Sequence, residues 1–322
     1  MVVLPDSSSL LVLRSNELTY MFIIKNRNVF IAVSTILVIA SVVLISVFGL
    51  KFGIDFKGGS QAEVSYATTR PEADVLQASI DKLSFGEVLI QPVGDTEYAI
   101  KTRDLTEAEH QSLIKAASVD GAFTVSEKSY TSIGPSIGNE LARKAIKAII
   151  LVMAAIIMFI AYAFRKVSRP VSSWKYGLIA VITLVHDIAI PTGAFALISH
   201  YNGIEIDTLF IVALLTVLGL SVSDTIVVFD RIRENIRHNA NGDFAETVGR
   251  SLSQTFTRSI NTSLTVILVL LSLVFFGPES TRTFATVLTV GLFFGTYSSI
   301  FLASPLLVVA EKMQKKGNKK KK

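Results

Sequence analysis

Of the 322 residues, 50% are hydrophobic and only 18% charged, against roughly 25% charged in an ordinary soluble domain, and the apolar residues gather into uncharged runs long enough to cross a bilayer. A soluble enzyme is thereby excluded. The net charge of +5 resides in a tail: residues 311–322 hold seven Lys and one Glu, and 24 basic and 25 acidic residues precede them, so no basic nucleic-acid face is expected and the lysines suit an anionic membrane leaflet.

Residues 1–28 read as a cytoplasmic segment, followed by a first membrane span at 29–50. Its 22 uncharged residues exceed the apolar region of a signal peptide and no small-residue cleavage site follows, so it is expected to be retained. Residues 51–143 form a soluble insert with its own pattern. Ala62, Val64 and Tyr66 alternate as in a half-buried strand, and Val75, Leu76, Ile80 and Leu83 follow Pro71 at helical spacing. Two short strands at 88–92 and 98–102 turn at Gly94 and Asp95. Thr106 and Glu109 form a capping box for a second helix, and a last strand runs over 123–130. The order β-α-β-β-α-β is that of a ferredoxin-like module.

Five further spans are predicted at 148–164, 176–199, 209–229, 260–276 and 284–310. The fold class is therefore an α-helical polytopic membrane protein, a six-helix bundle carrying one small α+β domain outside the cytoplasm. Orientation follows from the positive charges: Arg14, Lys25 and Arg27; Arg165, Lys166, Arg169 and Lys175; Arg231, Arg233, Arg237, Arg250 and Arg258; and the tail lie on one side. The other side has none in 200–208 and only Arg282 in 277–283. Positive loops stay in the cytoplasm, so both termini should be cytoplasmic. Within the connector at 231–259, Phe244, Val248, Leu252 and Phe256 recur every four residues, predicting an amphipathic helix along the cytoplasmic surface.

The sequence carries no Walker A, G-x-G-x-x-G, H-E-x-x-H or G-x-S-x-G motif and no cysteine. Nucleotide hydrolysis, thiol chemistry and a metal centre are not expected. Ionisable groups inside the membrane mark the candidate site instead. Asp224 lies within the fourth span, and a carboxylate at such depth costs about 2.5 to 3.5 kcal/mol, so it should face the bundle interior or carry an ion. Ser221, Ser223 and Thr225 surround it in sequence, and Gly219 offers close approach to a neighbouring helix. On the antiparallel fifth span, Arg258 could reach toward Asp224, with Asn261, Thr262 and Thr265 lining the gap. Burial and a guanidinium act oppositely on a carboxylate's proton affinity, which suits a proton carrier. A positive-inside anchor is the other role open to Arg258.

His186 and Asp187 occupy the third span, one turn before Pro191, and as sequence neighbours they point to different helix faces. They are either a second polar element of the path or a clamp between helices. Asp230 should pair at the surface with Arg231 or Arg233. Gly291, Gly295, Ser298 and Ser299 form a small-residue stripe suited to packing. Two aspartates on consecutive spans also suggest an intramembrane aspartyl protease, but the G-x-G-D such enzymes need is missing at Asp224.

Taken together, several runs resemble the SecF family of the bacterial SecD–SecF export complex: Gly53-Ile-Asp-Phe-Lys-Gly-Gly59, with Asp55, Gly58 and Gly59; Gly134, Pro135 and Gly138 before the second span; His186-Asp187; Ser223 to Asn235, with Asp224, Asp230 and Arg231; Arg258 to Leu264; and Gly295 to Phe301. The resemblance implies a six-helix half of an RND-type transporter that pairs with SecD into a pseudo-symmetric twelve-helix unit. It implies a place in the bacterial cytoplasmic membrane beside the SecYEG translocon, with YajC and YidC as further candidate associates and unfolded preproteins as substrates. The proton-motive force would draw those substrates outward, through the residues here numbered Asp224 and Arg258. No cofactor is implied beyond the coupling ion, proton or sodium. Leu220 and Ser223 stand where an aromatic and an asparagine are more usual, and Val266 where threonine is. An RND-type exporter of a lipid or small molecule and a structural scaffold of the translocon are the alternatives.

Overall fold

The computed structural model describes residues 21–165, 170–238 and 242–320. Residues 1–20, Lys166, Arg169 and the last two lysines, counted above for orientation, lie outside them. The chain divides into two compact units, one made of Leu50–Ala148 with Glu205–Thr208, the other of the remaining helices.

The smaller unit begins with a four-residue helix α2 (Ile54–Lys57), which follows the first long helix α1 (Arg27–Phe48). Then come β1 (Gly59–Tyr66), α3 (Ala73–Asp81), β2 (Leu89–Val93), β3 (Glu97–Thr102), α4 (Glu107–Ala117) and β4 (Val125–Ile133). The sheet order is β2-β3-β1-β4 and all pairings are antiparallel, with Ala62 opposite Ile100 and Val64 opposite Tyr98. Alternation along β1 puts Ala62, Val64 and Tyr66 on the face that α3 and α4 cover, where they meet Leu76, Ile80 and Leu113. The capping box at Thr106 and Glu109 is formed as the sequence suggested. Arg103 and the Thr106 bonds hold the Glu109 carboxyl down at about 2.

The glycine motif joins this sheet to its neighbours. Gly58 has φ +81°, and a Cβ there would stand 2.7 Å from Pro135 Cα; a Cβ on Gly138 would stand 2.7 Å from Gly58 N. Only bare backbone fits where these segments meet. A Cβ on Gly59 would lie 2.6 Å from the Thr102 carbonyl. Gly53 N–H donates to the Ile206 carbonyl at 2.8 Å, and Asp55 accepts from both the backbone N–H (2.7 Å) and the hydroxyl (2.6 Å) of Thr208, the first residue of a long helix. Lys101 and Glu205 add a half-buried ion pair at 2.8 Å. Gly134 precedes the second long helix, with Pro135 at its first position, where proline's fixed φ is already helical.

The larger unit contains the rest of that helix, α5 (Pro135–Ala163), then α6 (Ser173–Asn202), α7 (Thr208–His238), α8 (Phe244–Phe276) and α9 (Glu279–Ser298), the last continuing through a π-helical turn (Ser299–Ala303) into α10 (Ser304–Lys320). With α1 these give, among the described residues, six helices long and apolar enough to cross a membrane. Ile150, Leu151, Val269 and Phe275 are exposed on the chain, as lipid-facing residues would be. A buried cluster of Tyr176, Phe164, Phe229, Val248, Leu252 and Leu307 binds the bundle together. Pro191 is accommodated inside α6, and at Gly193 a Cβ would stand 2.6 Å from Ser41 Cα on α1.

Two boundaries differ from the sequence expectation. The helix of the second span begins before the span predicted at 148: α5 starts at Pro135 and runs through the charged residues Glu140, Arg143, Lys144 and Lys147, which interrupt a hydropathy run but not a helix. The separate surface helix expected within 231–259 is replaced by the end of α7 and the first half of a continuous α8. No proline interrupts 244–276, and the stripe of Phe244, Val248 and Leu252 packs into the bundle core.

Candidate functional site

Small residues bring α7 and α9 together. A Cβ on Gly291 would stand 2.3 Å from Val217 Cγ2, and one on Gly295 would stand 3.1 Å from Ser221 Cβ. Gly219, expected to serve this purpose, does not: it is exposed and nothing lies within 4 Å of a Cβ there. The contact falls on the other side of α7, half a turn away in each direction, at Val217 and Ser221. It places the polar residues of α9 beside both membrane aspartates.

Asp224 is half-buried, and each of its carboxylate oxygens has one protein donor: Ser259 Oγ on α8 at 2.6 Å to Oδ1, and Ser299 Oγ at 3.0 Å to Oδ2. The carboxylate borders a cavity of about 120 Å³ that Arg258, Thr262, Ser263 and Thr296 also line. Such a volume accommodates a few waters. Ser263 and Thr296 are joined across it at 2.5 Å. Arg258 is near enough for its charge to act on Asp224, but the two make no ion pair, a correction to the expected contact. Residues 258 and 259 are about 100° apart around the helix. Ser259 is buried and takes the inward place, and Arg258 is exposed.

Asp187 forms a second, fully buried centre. Its Oδ1 pairs with His186 Nδ1 at 2.8 Å; its Oδ2 accepts from Ser221 Oγ and from Ser298 Oγ, the latter at 2.9 Å. The sequence expectation that neighbours 186 and 187 face apart is corrected: both groups are buried, and the imidazole and carboxylate satisfy each other. Ser221 likewise serves Asp187, not Asp224, although it borders the same cavity. The Thr225 hydroxyl is buried without a partner, and Asn261 is exposed and off the cavity. Thr265 turns its hydroxyl back to the carbonyls of its own helix. Asp230 pairs with Arg233, and Arg231 with Glu234 and Gln254.

The residues missed as functional groups are Ser259, Ser298 and Ser299. Consecutive serines after Gly291 and Gly295 were visible, but the π-helical turn at Ser299–Ala303, a feature often found at functional sites, is signalled only by Pro305, which lacks the N–H that an α-helix would direct to the Phe301 carbonyl.

A family model described as protein export membrane protein SecD/SecF, C-terminal, matches residues 114–313, and the SecD/SecF GG motif matches residues 43–69. The protein translocase subunit SecF of Thermobaculum terrenum is 40% identical over 297 residues, covering 89% of this chain and 92% of that protein. The chain belongs to the SecF family. The SecF of Anaerolinea thermophila is 36% identical over 90% of this chain and 94% of its own length. Among solved structures, SecDF of Thermus thermophilus, described as a translocon-associated membrane protein, superposes with a TM-score of 0.78 at 31% identity. That match covers 90% of this chain and 38% of the longer SecDF chain. A SecDF structure in a super-membrane-facing form matches with a TM-score of 0.67 at 30% identity. The SecF motifs at Gly53, Asp55, Gly58, Gly59, Gly134, Pro135 and Gly138 thus make a backbone junction, and those around Asp224 and Ser299 line the membrane site.

Proposed function

We propose that the chain acts in protein export as a SecF-type translocase subunit beside SecD, and that it draws energy from protons passing through Asp224. The observation that carries the coupling is the carboxylate itself: it lies in a membrane-spanning helix, half-buried beside a polar cavity, held by hydroxyls from two other helices. An ionised carboxylate only accepts hydrogen bonds, whereas a protonated one must also donate. Ser299 has an alternative acceptor at hand, the Thr296 carbonyl at 2.9 Å. A proton arriving at Asp224 therefore lets Ser299 turn away and loosens the tie between α7 and the last helix. One charge crossing 100 mV supplies about 2.3 kcal/mol, enough to bias such a two-state contact.

The partner follows from the same face. Ser223, Arg258, Asn261 and Thr262 are exposed along the flank of α7 and α8, and Arg258 lies near the middle of α8. Leaving a guanidinium against lipid is costly, so a second helical bundle, that of SecD, would cover this flank. The arginine-rich loops favour a bacterial cytoplasmic membrane with both termini inside and the small α+β domain outside, where it would meet emerging preprotein from SecYEG. YajC and YidC remain candidate associates. A carboxylate among hydroxyls also suits sodium.

The test is Asp224→Asn, co-reconstituted with SecD in proteoliposomes and expressed in cells. Ion uptake on imposing a pH gradient and the rate of preprotein export should both fall to background. Wild-type levels of both would overturn the coupling, and uptake driven by a sodium gradient alone would reassign the ion.

A further inference from the structure

Ser298 and Ser299 are adjacent, yet their hydroxyls serve carboxylates on two different helices: Ser298 reaches Asp187 on α6 at 2.9 Å, and Ser299 reaches Asp224 on α7 at 3.0 Å. They stand where α9 passes into the π-helical turn. Asp187 also accepts from Ser221, three residues before Asp224 on α7 and so on nearly the same face. One fully buried carboxylate thus grips both the helix that bears Asp224 and the peptide that presents its donor. Asp187 does not border the cavity. Its remaining oxygen is occupied by His186, whose Nε2 is buried without a partner beside the Tyr297 ring.

We propose that Asp187 is a positioning residue for the ion site: acting through Ser221 and Ser298, it fixes the distance between Asp224 and Ser299, and it does not itself carry the ion. This rests on Asp224 being the ion-carrying group. The groups facing the two acids are Ser221, Ser298 and His186 around Asp187, and Ser259, Ser299 and Arg258 around Asp224.

A positioning role and a carrying role differ in what asparagine does. In Asp187→Asn the amide oxygen can still accept from both serines, and the amide nitrogen can donate to Nδ1 of the other histidine tautomer. The anchor survives and the titrating group is gone. Alanine removes both.

The experiment measures ion uptake against pH for the full chain co-reconstituted with SecD, with wild type, D187N, D187A, S298A and D224N side by side. D187N is expected to retain uptake within about threefold of wild type and to keep its pH midpoint. D187A and S298A are expected to move that midpoint by about one unit, the tenfold change in proton affinity that a lost hydrogen bond to a charged group represents. If D187A does not insert, S298A and Ser221→Ala carry the same test. With D224N inactive, a D187N as inactive as D224N, or an unmoved midpoint in the alanine variants, would overturn the positioning role alone. Wild-type uptake in D224N would overturn the Asp224 assignment and this proposal with it.

Discussion

Gly291→Ala should force the last helix away from α7. The new Cβ would stand 2.3 Å from Val217 Cγ2, 3.1 Å from Cγ1 and 3.2 Å from Cβ, and a β-branched valine on a helix is nearly confined to one χ1 rotamer, so it cannot swing clear. Bringing the closest contact out to the 3.4 Å of ordinary van der Waals packing requires about 1 Å of helix displacement. Overpacking on this scale costs about 1 to 3 kcal/mol. The same displacement stretches the Ser299 to Asp224 bond from 3.0 Å beyond hydrogen-bonding reach, so stability and ion uptake should fall together. Val217→Ala removes both Cγ atoms at a cost on the order of 1 kcal/mol in lost packing, and in the double variant the clash largely disappears. Thermal unfolding of the four proteins in detergent, with uptake measured in parallel, completes a double-mutant cycle. The expected coupling is about 1 to 2 kcal/mol in the rescuing direction. A Gly291→Ala protein as stable as wild type, or two single losses that simply add, would refute the close approach of α7 and α9.

Four further outcomes are expected. Asp55→Ala removes the acceptor for the Thr208 N–H and hydroxyl and should cost about 1 kcal/mol, visible as faster hydrogen exchange at the start of α7; Asp55→Asn should recover most of it. Gly59→Ala should destabilise the small domain by several-fold more than Gly86→Ala, since both have positive φ but only the first would drive a Cβ into backbone, 2.6 Å from the Thr102 carbonyl; urea unfolding followed by exchange of β1 and β3 amides checks the order. Tyr66, buried and close to Tyr98, has its phenol pushed up from 10.0 to about 12. Its contribution to stability is complete below pH 10 and fades as pH climbs to about 12, a loss on the order of 2 to 3 kcal/mol. Tyr66→Phe should be flat across that window, and the tyrosinate absorbance that rises near pH 12 in wild type should shrink in that variant. Ser259→Ala removes one of the two protein donors to Asp224 and should change the pH midpoint of uptake without abolishing it; an unaltered profile would remove Ser259 from the site.

Much of the architecture could be read from single residues. The alternation at Ala62, Val64 and Tyr66 located β1, and Thr106 with Glu109 located the start of α4 to the residue. Membrane spans were legible because uncharged runs have few other uses. Their ends were not, since hydropathy reports where charge begins and not where hydrogen bonding stops; α5 and α8 both continue well into polar sequence. The candidate site was half legible. Depth singled out Asp224, but which neighbour touches it depends on the rotation of each helix about its axis, and a rotation of one residue exchanged Arg258 for Ser259. The same uncertainty gave Ser221 to the wrong carboxylate and Gly219 a packing role that belongs to Gly291 and Gly295. Residues on a helix without a regular period, as at Ser299–Ala303, cannot be placed on a face by counting.

That widened turn also sets the address of everything after it. Each π-type turn holds an extra residue relative to an α-helix, so the segment from Ser304 onward is advanced by about 100° compared with an unbroken helix. Leu307 and Val308 are both fully buried; without that offset Val308 would turn to the half-buried position that Val309 now holds. Deleting one residue between 299 and 303 would restore α-helical spacing and leave this pair on its present face, whereas inserting one would turn the pair by about 100° more. A one-residue gap in any relative aligned here would therefore signal an unbroken last helix that presents the same buried face.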